Sequence, residues 1–398
     1  MKTILIILDG VADLPCKELN GKTPLEAAKT PNLDFLTKNG KTGYMFPVKE
    51  NVAPESDVAI TAILGYDPYK YFTGRGPLEA FGAGIKTSPG DLAVRTNFAT
   101  IQDEKVIDRR AGRTLTTKEA IILAKDINKK IKLPYPFIFI PTIQHRGILV
   151  IRGGFSDNIT NTDPGYERFG SFGVAAKTSD KLKTCKPLDD EETTKLSSNL
   201  INVFVEKSIK VLESNPINLK RKKEGLLPAN IILTRDAGTS LPYFPKKQKK
   251  WAAIVALPLE IGLTKLAGMQ TLFYKYPIMK TKDVYKNLYE ALSTGINFSK
   301  KYISKYLNKF DAMYVHIKET DVPGHDGKAL EKKKMIEILD ERFFSFIRTL
   351  KDTQIIITAD HSTPCRLKAH SADPVPVLIY GKEKDSVERF TENKTIKG

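Results

Sequence analysis

The sequence predicts an α/β protein: a parallel-sheet domain flanked by helices, with a smaller α/β domain inserted between its two halves. Three observations carry this. Short, continuously apolar runs stand at both ends of the chain, "KTILIIL" at 2, "DAMYVHI" at 311, "TQIIITA" at 353 and "DPVPVLIY" at 373. Such runs read as strands buried on both faces of a parallel sheet. Each is followed by a loop or a helical pattern, and between the two groups lies a middle section with strands and helices of its own.

Along the chain, "TPLEAAKTPNLDFLTKNG" at 23–40 gives two helical starts with Pro just inside the first turn, and Gly40 as a stop. The middle section supplies strand patterns in "DLAVRTNFATI" at 91, "GILVIRGG" at 147 and "ANIILT" at 229. Its helices are "TTKEAIILAKDINKKI" at 116 and "TKLSSNLINVFVEKSIKVLESN" at 194. A long amphipathic pattern runs from 328 to about 350. Basic and Pro-rich loops near 88 and 250 mark the domain boundaries. The expected division is therefore 1–88 plus 250–398 for the discontinuous catalytic domain and 89–249 for the insertion.

Composition excludes several classes. At 398 residues, 41% hydrophobic and 27% charged, the chain has the balance of a soluble globular protein. No apolar run approaches the roughly 18 residues of a membrane span. "MKTILIILDG" reads as a strand rather than a signal peptide, so a cytoplasmic location and no membrane partner are expected. The three cysteines, Cys16, Cys185 and Cys365, form no CxxC pair and read as reduced thiols. The net charge of +17 raises the question of nucleic acid. The basic runs "KKIK" at 129, "KRKK" at 220 and "KKQKK" at 246 carry no interleaved aromatics and no reading motif. They read as solvated faces, and no nucleic-acid partner is expected. A positive field would instead attract a small polyanion.

The chemistry-bearing residues fall at the carboxyl ends of predicted strands, where open α/β sheets place their ligand sites. Asp9 ends the first strand; Asp321 and His325 follow "MYVHIKE"; Asp360 and His361 follow "IIIT"; His370 precedes the last strand. Asp9 alone also reads as a turn residue. His316, inside a strand pattern, reads as a core histidine. Ser56, in "NVAPESDVAITAILGYDP" at 51, stands before an apolar helix and suits either a helix cap or a nucleophile. Mixed Asp and His ligands suit divalent Mg, Mn or Zn. Asp9, Ser56, Asp321, His325, Asp360, His361 and His370 are enough for two such metals.

The motifs "LDG" at 8, "TPNLD" at 30, "PESDVAITAILGYDP" at 54, "TGRGPLEAFGAGI" at 73 and "GDLAVRTNFATI" at 90 together resemble a known family. So do "DRRAGR" at 108, "QHRGILVIRGG" at 144, "ETDVPGHDG" at 319 and "TADHSTPC" at 358. The chain resembles the archaeal-type, 2,3-bisphosphoglycerate-independent phosphoglycerate mutases of the alkaline phosphatase superfamily. That implies an alkaline-phosphatase-like sheet domain and interconversion of 3- and 2-phosphoglycerate in glycolysis and gluconeogenesis. The implied partner is a small-molecule phosphoglycerate, with no bisphosphoglycerate cofactor. Ser56 matches the serine that becomes phosphorylated. Asp9, Ser56, Asp360 and His361 match the ligands of one metal, and Asp321, His325 and His370 those of the other. Manganese or magnesium is usual there, cobalt or zinc occasional.

Cations on the inserted domain should receive the substrate's carboxylate and phosphate, with Arg offering bidentate geometry. His145 and Arg146 lead, joined by Arg109, Arg110 and Arg113; Arg95 and Arg235 are weaker candidates. Asp108 is the expected base. Glu55 and Asp57 are expected to serve the helix start and local packing. A related phosphatase would use the same ligands, because fold and metal site do not fix substrate. A sulfatase is disfavoured, since "SDVAI" lacks the C/S-x-P-x-R context.

Overall fold

A computed structural model describes residues 1–170, 172–176, 180–246 and 248–398. Lys247 of the "KKQKK" run lies outside them. The chain opens with β1 (Lys2–Leu8) and β2 (Gly40–Met45). Its middle supplies β3 (Leu92–Gln102), β4 (Lys105–Asp108), β5 (Phe137–Pro141) and β6 (Arg146–Ile151). There follow β7 (Tyr166–Phe169), β8 (Phe172–Ala175) and β9 (Ile231–Gly238). The last third gives β10 (Trp251–Val255), β11 (Gln270–Phe273), β12 (Ala312–Ile317), β13 (Thr353–Thr358) and β14 (Val375–Tyr380).

The two ends of the chain share a seven-stranded sheet in the order β11-β10-β12-β1-β13-β14-β2. Strand β1 lies at its centre, parallel to β12 and β13, with Leu8 opposite Ile317 and Ile7 opposite Thr358. That register brings the residues after all three strands to one edge. Alternation along β1 serves both faces: Ile4, Ile6 and Leu8 join one core, Leu5 and Ile7 the other. Strands β3, β4, β5, β6 and β9 form a separate five-stranded sheet, and β7 and β8 a hairpin. Among the described residues no helix is long and apolar enough to cross a membrane.

Four features of the fold go beyond the sequence reading and have physical causes. First, β14 runs antiparallel to β13. A parallel return needs a crossover to the far edge, whereas residues 359–374 form no helix and stay at the site edge. Second, the middle sheet is antiparallel. Its strand β3 is nonetheless buried continuously from Leu92 to Thr100. Third, Gly40 both follows the C-cap Asn39 of the helix Pro31–Lys38 and begins β2, and its bare Cα lets Leu378 and the Ile379 carbonyl approach. Fourth, the pattern from 328 is helical over Ala329–Leu339 and then widens to a π turn at Asp340–Phe344. The turn projects the Asp340 carboxylate onto the free Asn32 and Leu33 amides of the Pro31–Lys38 helix, at 3.2 and 2.7 Å.

The helix Arg75–Gly82 is wedged between the smaller sheet and the helix Pro258–Leu266. A Cβ on Gly76 would lie 2.1 Å from the Ala93 carbonyl of β3, and one on Gly82 1.8 Å from the Pro258 carbonyl. The glycines of "TGRGPLEAFGAGI" thus permit a backbone approach that sets Arg75 and Glu79 at the junction.

Candidate functional site

Asp9, Asp360 and Lys318 follow the three adjacent parallel strands at the same edge. Asp9 is fully buried. Its Oδ2 accepts from His316 Nε2 at 3.1 Å and from the Lys318 ammonium, while Oδ1 has no hydrogen-bond partner among the described residues. Burial alone would raise its pKa, but the Lys318 charge holds the carboxyl down at about 2. Asp360 Oδ1 accepts from the Gly10 amide at 3.1 Å, and its Oδ2 is likewise unpartnered. Burial and the neighbouring Asp9 charge push the Asp360 carboxyl up to about 6.

Three histidines converge on these acids, and their outer hydrogen bonds fix their tautomers. Thr363 Oγ1 donates to Asp321 Oδ1 at 2.8 Å, so it must accept from His361 Nδ1 at 3.1 Å. His370 Nδ1 faces the Pro54 carbonyl at 2.8 Å, and His325 Nδ1 faces the Lys368 carbonyl at 3.3 Å. A carbonyl only accepts, so each Nδ1 carries the proton and each Nε2 offers a lone pair. Those Nε2 atoms point at carboxylates. His361 lies 3.5 Å from Asp9 Oδ1 and 3.4 Å from Asp360 Oδ2; His325 is 3.4 Å and His370 3.8 Å from Asp321. Burial lowers all three imidazoles, His370 to about 4.

Neutral imidazole lone pairs facing unpartnered carboxylate oxygens repel one another unless a cation lies between them. Asp9, Asp360 and His361 bring their ligand atoms within 4.8 Å of one another, and so do Asp321, His361 and His370. The donor set, oxygen mixed with imidazole, fits divalent metals, and His361 stands in both groups.

Ser56 is the first residue of the helix Ser56–Ile63, and Glu55 is the N-cap. The cap reading therefore fails for Ser56. Its Oγ lies 3.2 Å from His361 Nε2 and 3.2 Å from Lys318 Nζ. The ammonium donates to Oγ, and the hydroxyl proton is directed at the imidazole lone pair.

Gly10 makes the cluster possible. Its φ is +57°, and a Cβ there would lie 2.5 Å from Thr363 Oγ1 and 2.7 Å from Asp321 Oδ1. Gly10→Ala is expected to cost about 1–3 kcal/mol in backbone strain and to push Thr363 off His361. The melting temperature should fall, and manganese should no longer raise it. Full metal-induced stabilisation in that variant would contradict this reading of Thr363.

Opposite Ser56 is a cavity lined by Arg110, Arg113, His145, Arg146, Arg95 and Arg235. Arg110 and Arg146 have no carboxylate within ion-pair distance among the described residues, and burial lowers both guanidinium pKa values, Arg110 to about 10. His145 is buried, its Nδ1 lacks a partner among the described residues, and burial holds its pKa well below the usual imidazole value. Arg113 is paired with Asp326 at 3.0 Å. Arg95 is paired with Glu79, and Arg235 with Glu55 and Asp236.

A scan against family models matches residues 37–218 to the 2,3-bisphosphoglycerate-independent phosphoglycerate mutases. The chain is 39% identical over 408 residues to the mutase of that name from Methanosphaera stadtmanae, covering 100% of this chain and 94% of the relative. It is 40% identical over 414 residues to the one from Thermococcus kodakarensis, with 100% and 93% covered. The chain belongs to this mutase family. Among solved structures, a Pyrococcus horikoshii protein is 31% identical with a TM-score of 0.70, covering 100% of this chain and 92% of that one. The cofactor-independent phosphoglycerate mutase of Thermoplasma acidophilum, also 31% identical, gives 0.55 with 100% and 95% covered.

Within this mutase fold, two expected substrate residues stand elsewhere. Asp108 does not line the cavity; its Oδ1 accepts from the Arg110 and Gly112 amides at 2.7 and 2.9 Å and orders the "DRRAGR" loop. Arg109 is paired with Asp163 at 2.5 Å and lies over the ring of Tyr166, which lines the cavity while Arg109 itself does not. Glu55 does more than start a helix, because it holds Arg75 and Arg235. His316 is buried as expected, yet its partner is Asp9. Lys318 and Glu260, 3.3 Å apart beside Asp9, carry no motif signal at all. A lysine one residue past a strand reads as surface.

Proposed function

We propose that this mutase interconverts 3-phosphoglycerate and 2-phosphoglycerate without a bisphosphoglycerate cofactor, through a phosphoserine at Ser56 beside two divalent metals. The observation that carries the reading is the position of Ser56 Oγ, between His361 Nε2 and Lys318 Nζ and opposite a cavity holding unpaired Arg110 and Arg146. Asp9, Ser56, Asp360 and His361 would hold one metal, and Asp321, His325 and His370 the other. When bound, manganese or magnesium would supply Lewis acidity that favours the serine alkoxide and offsets phosphoryl charge.

The chain's own groups account for the remaining steps. Lys318 donates to Ser56 Oγ and so favours its anionic form. Arg110, Arg146 and Arg113 bind the phosphoryl and carboxylate oxygens of the substrate. Ser56 Oγ gives up its proton and bonds to phosphorus as the bond between phosphorus and the C3 oxygen breaks, and the departing C3 oxygen takes up a proton. Glycerate stays in the arginine-lined cavity and reorients, with His145 as a neutral hydrogen-bond partner for its hydroxyls. The C2 hydroxyl then loses its proton and bonds to phosphorus as the Ser56 Oγ–P bond breaks, and Oγ regains a proton. Enclosure between the two sheets keeps water from competing.

An enolase-coupled assay with 3-phosphoglycerate, no bisphosphoglycerate and added manganese tests this directly. Turnover that stops on chelation is expected; phosphate release without 2-phosphoglycerate would make the chain a phosphatase instead. Arg146→Ala and Arg110→Ala should each lower kcat/KM roughly 10- to 100-fold, the worth of a charge-assisted hydrogen bond. Arg109→Ala should instead lower the melting temperature, because it strands buried Asp163. Equal kinetic losses in all three would contradict the division.

A further inference from the structure

The residue before the nucleophile is tied to the opposite sheet. Glu55 is 1% exposed. Its Oε2 accepts from Arg75 Nη1 at 2.8 Å and from Arg235 Nη1. Arg75 belongs to the wedged helix, but Arg235 is on β9 of the five-stranded sheet. Arg235 lies opposite Arg95 in the β3–β9 register, and Arg95 Nη1 meets Glu79 Oε1. Two arginines from the smaller sheet thus face two glutamates from the catalytic half, with Arg75 bridging both acids.

The neighbours of Glu55 repeat the connection. Pro54 forms a bridge with Val174 of the β7–β8 hairpin, and its carbonyl orients His370. Gly173 runs so close that a Cβ would lie 2.9 Å from Glu55 Oε1 and 2.4 Å from Asp236 Oδ1. The Arg235 guanidinium is held in place over the Tyr166 ring, 3.7 Å from its centroid. Pro54, Glu55 and Ser56 are consecutive, so any displacement of the smaller sheet pulls on the backbone that carries Oγ.

We propose that Glu55, through Arg235, is a positioning residue that couples the seating of the smaller sheet to Ser56 and thereby sets how phosphoserine partitions between glycerate and water. The inference rests on the phosphoserine reading above. With the contact intact, the sheet stays seated while glycerate reorients, and the C2 hydroxyl is the acceptor. With it broken, the cavity opens and water attacks phosphorus. The water oxygen bonds to phosphorus, the Ser56 Oγ–P bond breaks, serine regains a proton and inorganic phosphate departs.

The test is the ratio of phosphate released to 2-phosphoglycerate formed, measured on the full chain with manganese and 3-phosphoglycerate. Glu55→Gln keeps the shape and removes the charge. It is expected to raise the ratio at least about tenfold, as loss of a charge-assisted hydrogen bond implies. Arg235→Lys should move it the same way, and the double variant little further, because both act through one contact. Should Glu55→Gln melt below the assay temperature, Arg235→Lys alone decides. An unchanged ratio, or equal falls in both products, would overturn the inference, since a merely structural role lowers total activity without diverting it. Acid-quenched wild-type protein from the same reactions separates the two levels. A labelled serine with an unchanged ratio sinks the coupling alone, whereas no label sinks the phosphoserine reading and the coupling with it.

Discussion

Ser56→Ala should leave the fold intact and reduce mutase turnover by about 10⁴-fold or more, the scale seen when a nucleophile is removed from a working constellation. The fold is spared because Ser56 is not a cap: among the described residues its Oγ accepts from no helix amide and is engaged only by His361 and Lys318. Truncation removes two hydrogen bonds at the cavity edge and no packing. The melting temperature should therefore stay within a few degrees of the parent, and the enolase-coupled rate should fall to background. A Ser56→Ala protein with substantial activity would mean that phosphorus is transferred by another group.

Asp360→Asn should hold or raise the stability of the metal-free protein and still cost much of its function. Asp360 and Asp9 are fully buried carboxylates at one edge, each with an oxygen that no described group satisfies. Asn retains the acceptor for the Gly10 amide and removes one of the two charges. The metal-free protein is expected to melt at the same temperature or higher. Manganese at a hundredfold excess over its dissociation constant would stabilise the parent by about 2.7 kcal/mol, and this gain should vanish in the variant. Activity should drop at least about 100-fold, since even outer partners of metal ligands are worth that much. A variant that melts lower without metal, yet keeps the manganese shift, would show that Asp360 is structural. Cavities lined by unpaired like charges are stability sacrificed for function, and these two measurements separate the sacrifice from its purpose.

How far the sequence discloses this site depends on whether a residue's meaning is local. Asp9, Asp321 and Asp360–His361 are legible because an apolar strand followed by an acid or an Asp-His pair is a local pattern. The parallel register of β12, β1 and β13 then brings these ends together. Ser56 is legible only as one of two readings; what supports the nucleophile reading is contact with atoms 262 and 305 residues away along the chain. Lys318 and Glu260 are illegible because neither type is unusual at its position, and only the folded juxtaposition with Asp9 distinguishes them. Within "DRRAGR" the sequence offers three arginines alike, and only the fold separates the two that line the cavity from the one that does not. The loop turns Arg110 and Arg113 into the cavity and Arg109 away to Asp163, a choice made by positive φ at Ala111, Gly112 and Arg113. The direction of β14 escapes for a similar reason, because an apolar run carries no sign of which edge the chain enters from.

The central claim is that phosphorus passes through Ser56, and trapping it there is the most direct test. Protein turning over phosphate-labelled 3-phosphoglycerate with manganese would be quenched in acid, which preserves phosphoserine and destroys phosphohistidine, then digested and mapped. The label is expected on the peptide containing Ser56, absent after chelation and absent in Ser56→Ala. Full turnover with an unlabelled Ser56 peptide, or label recovered on another residue, would contradict the mechanism.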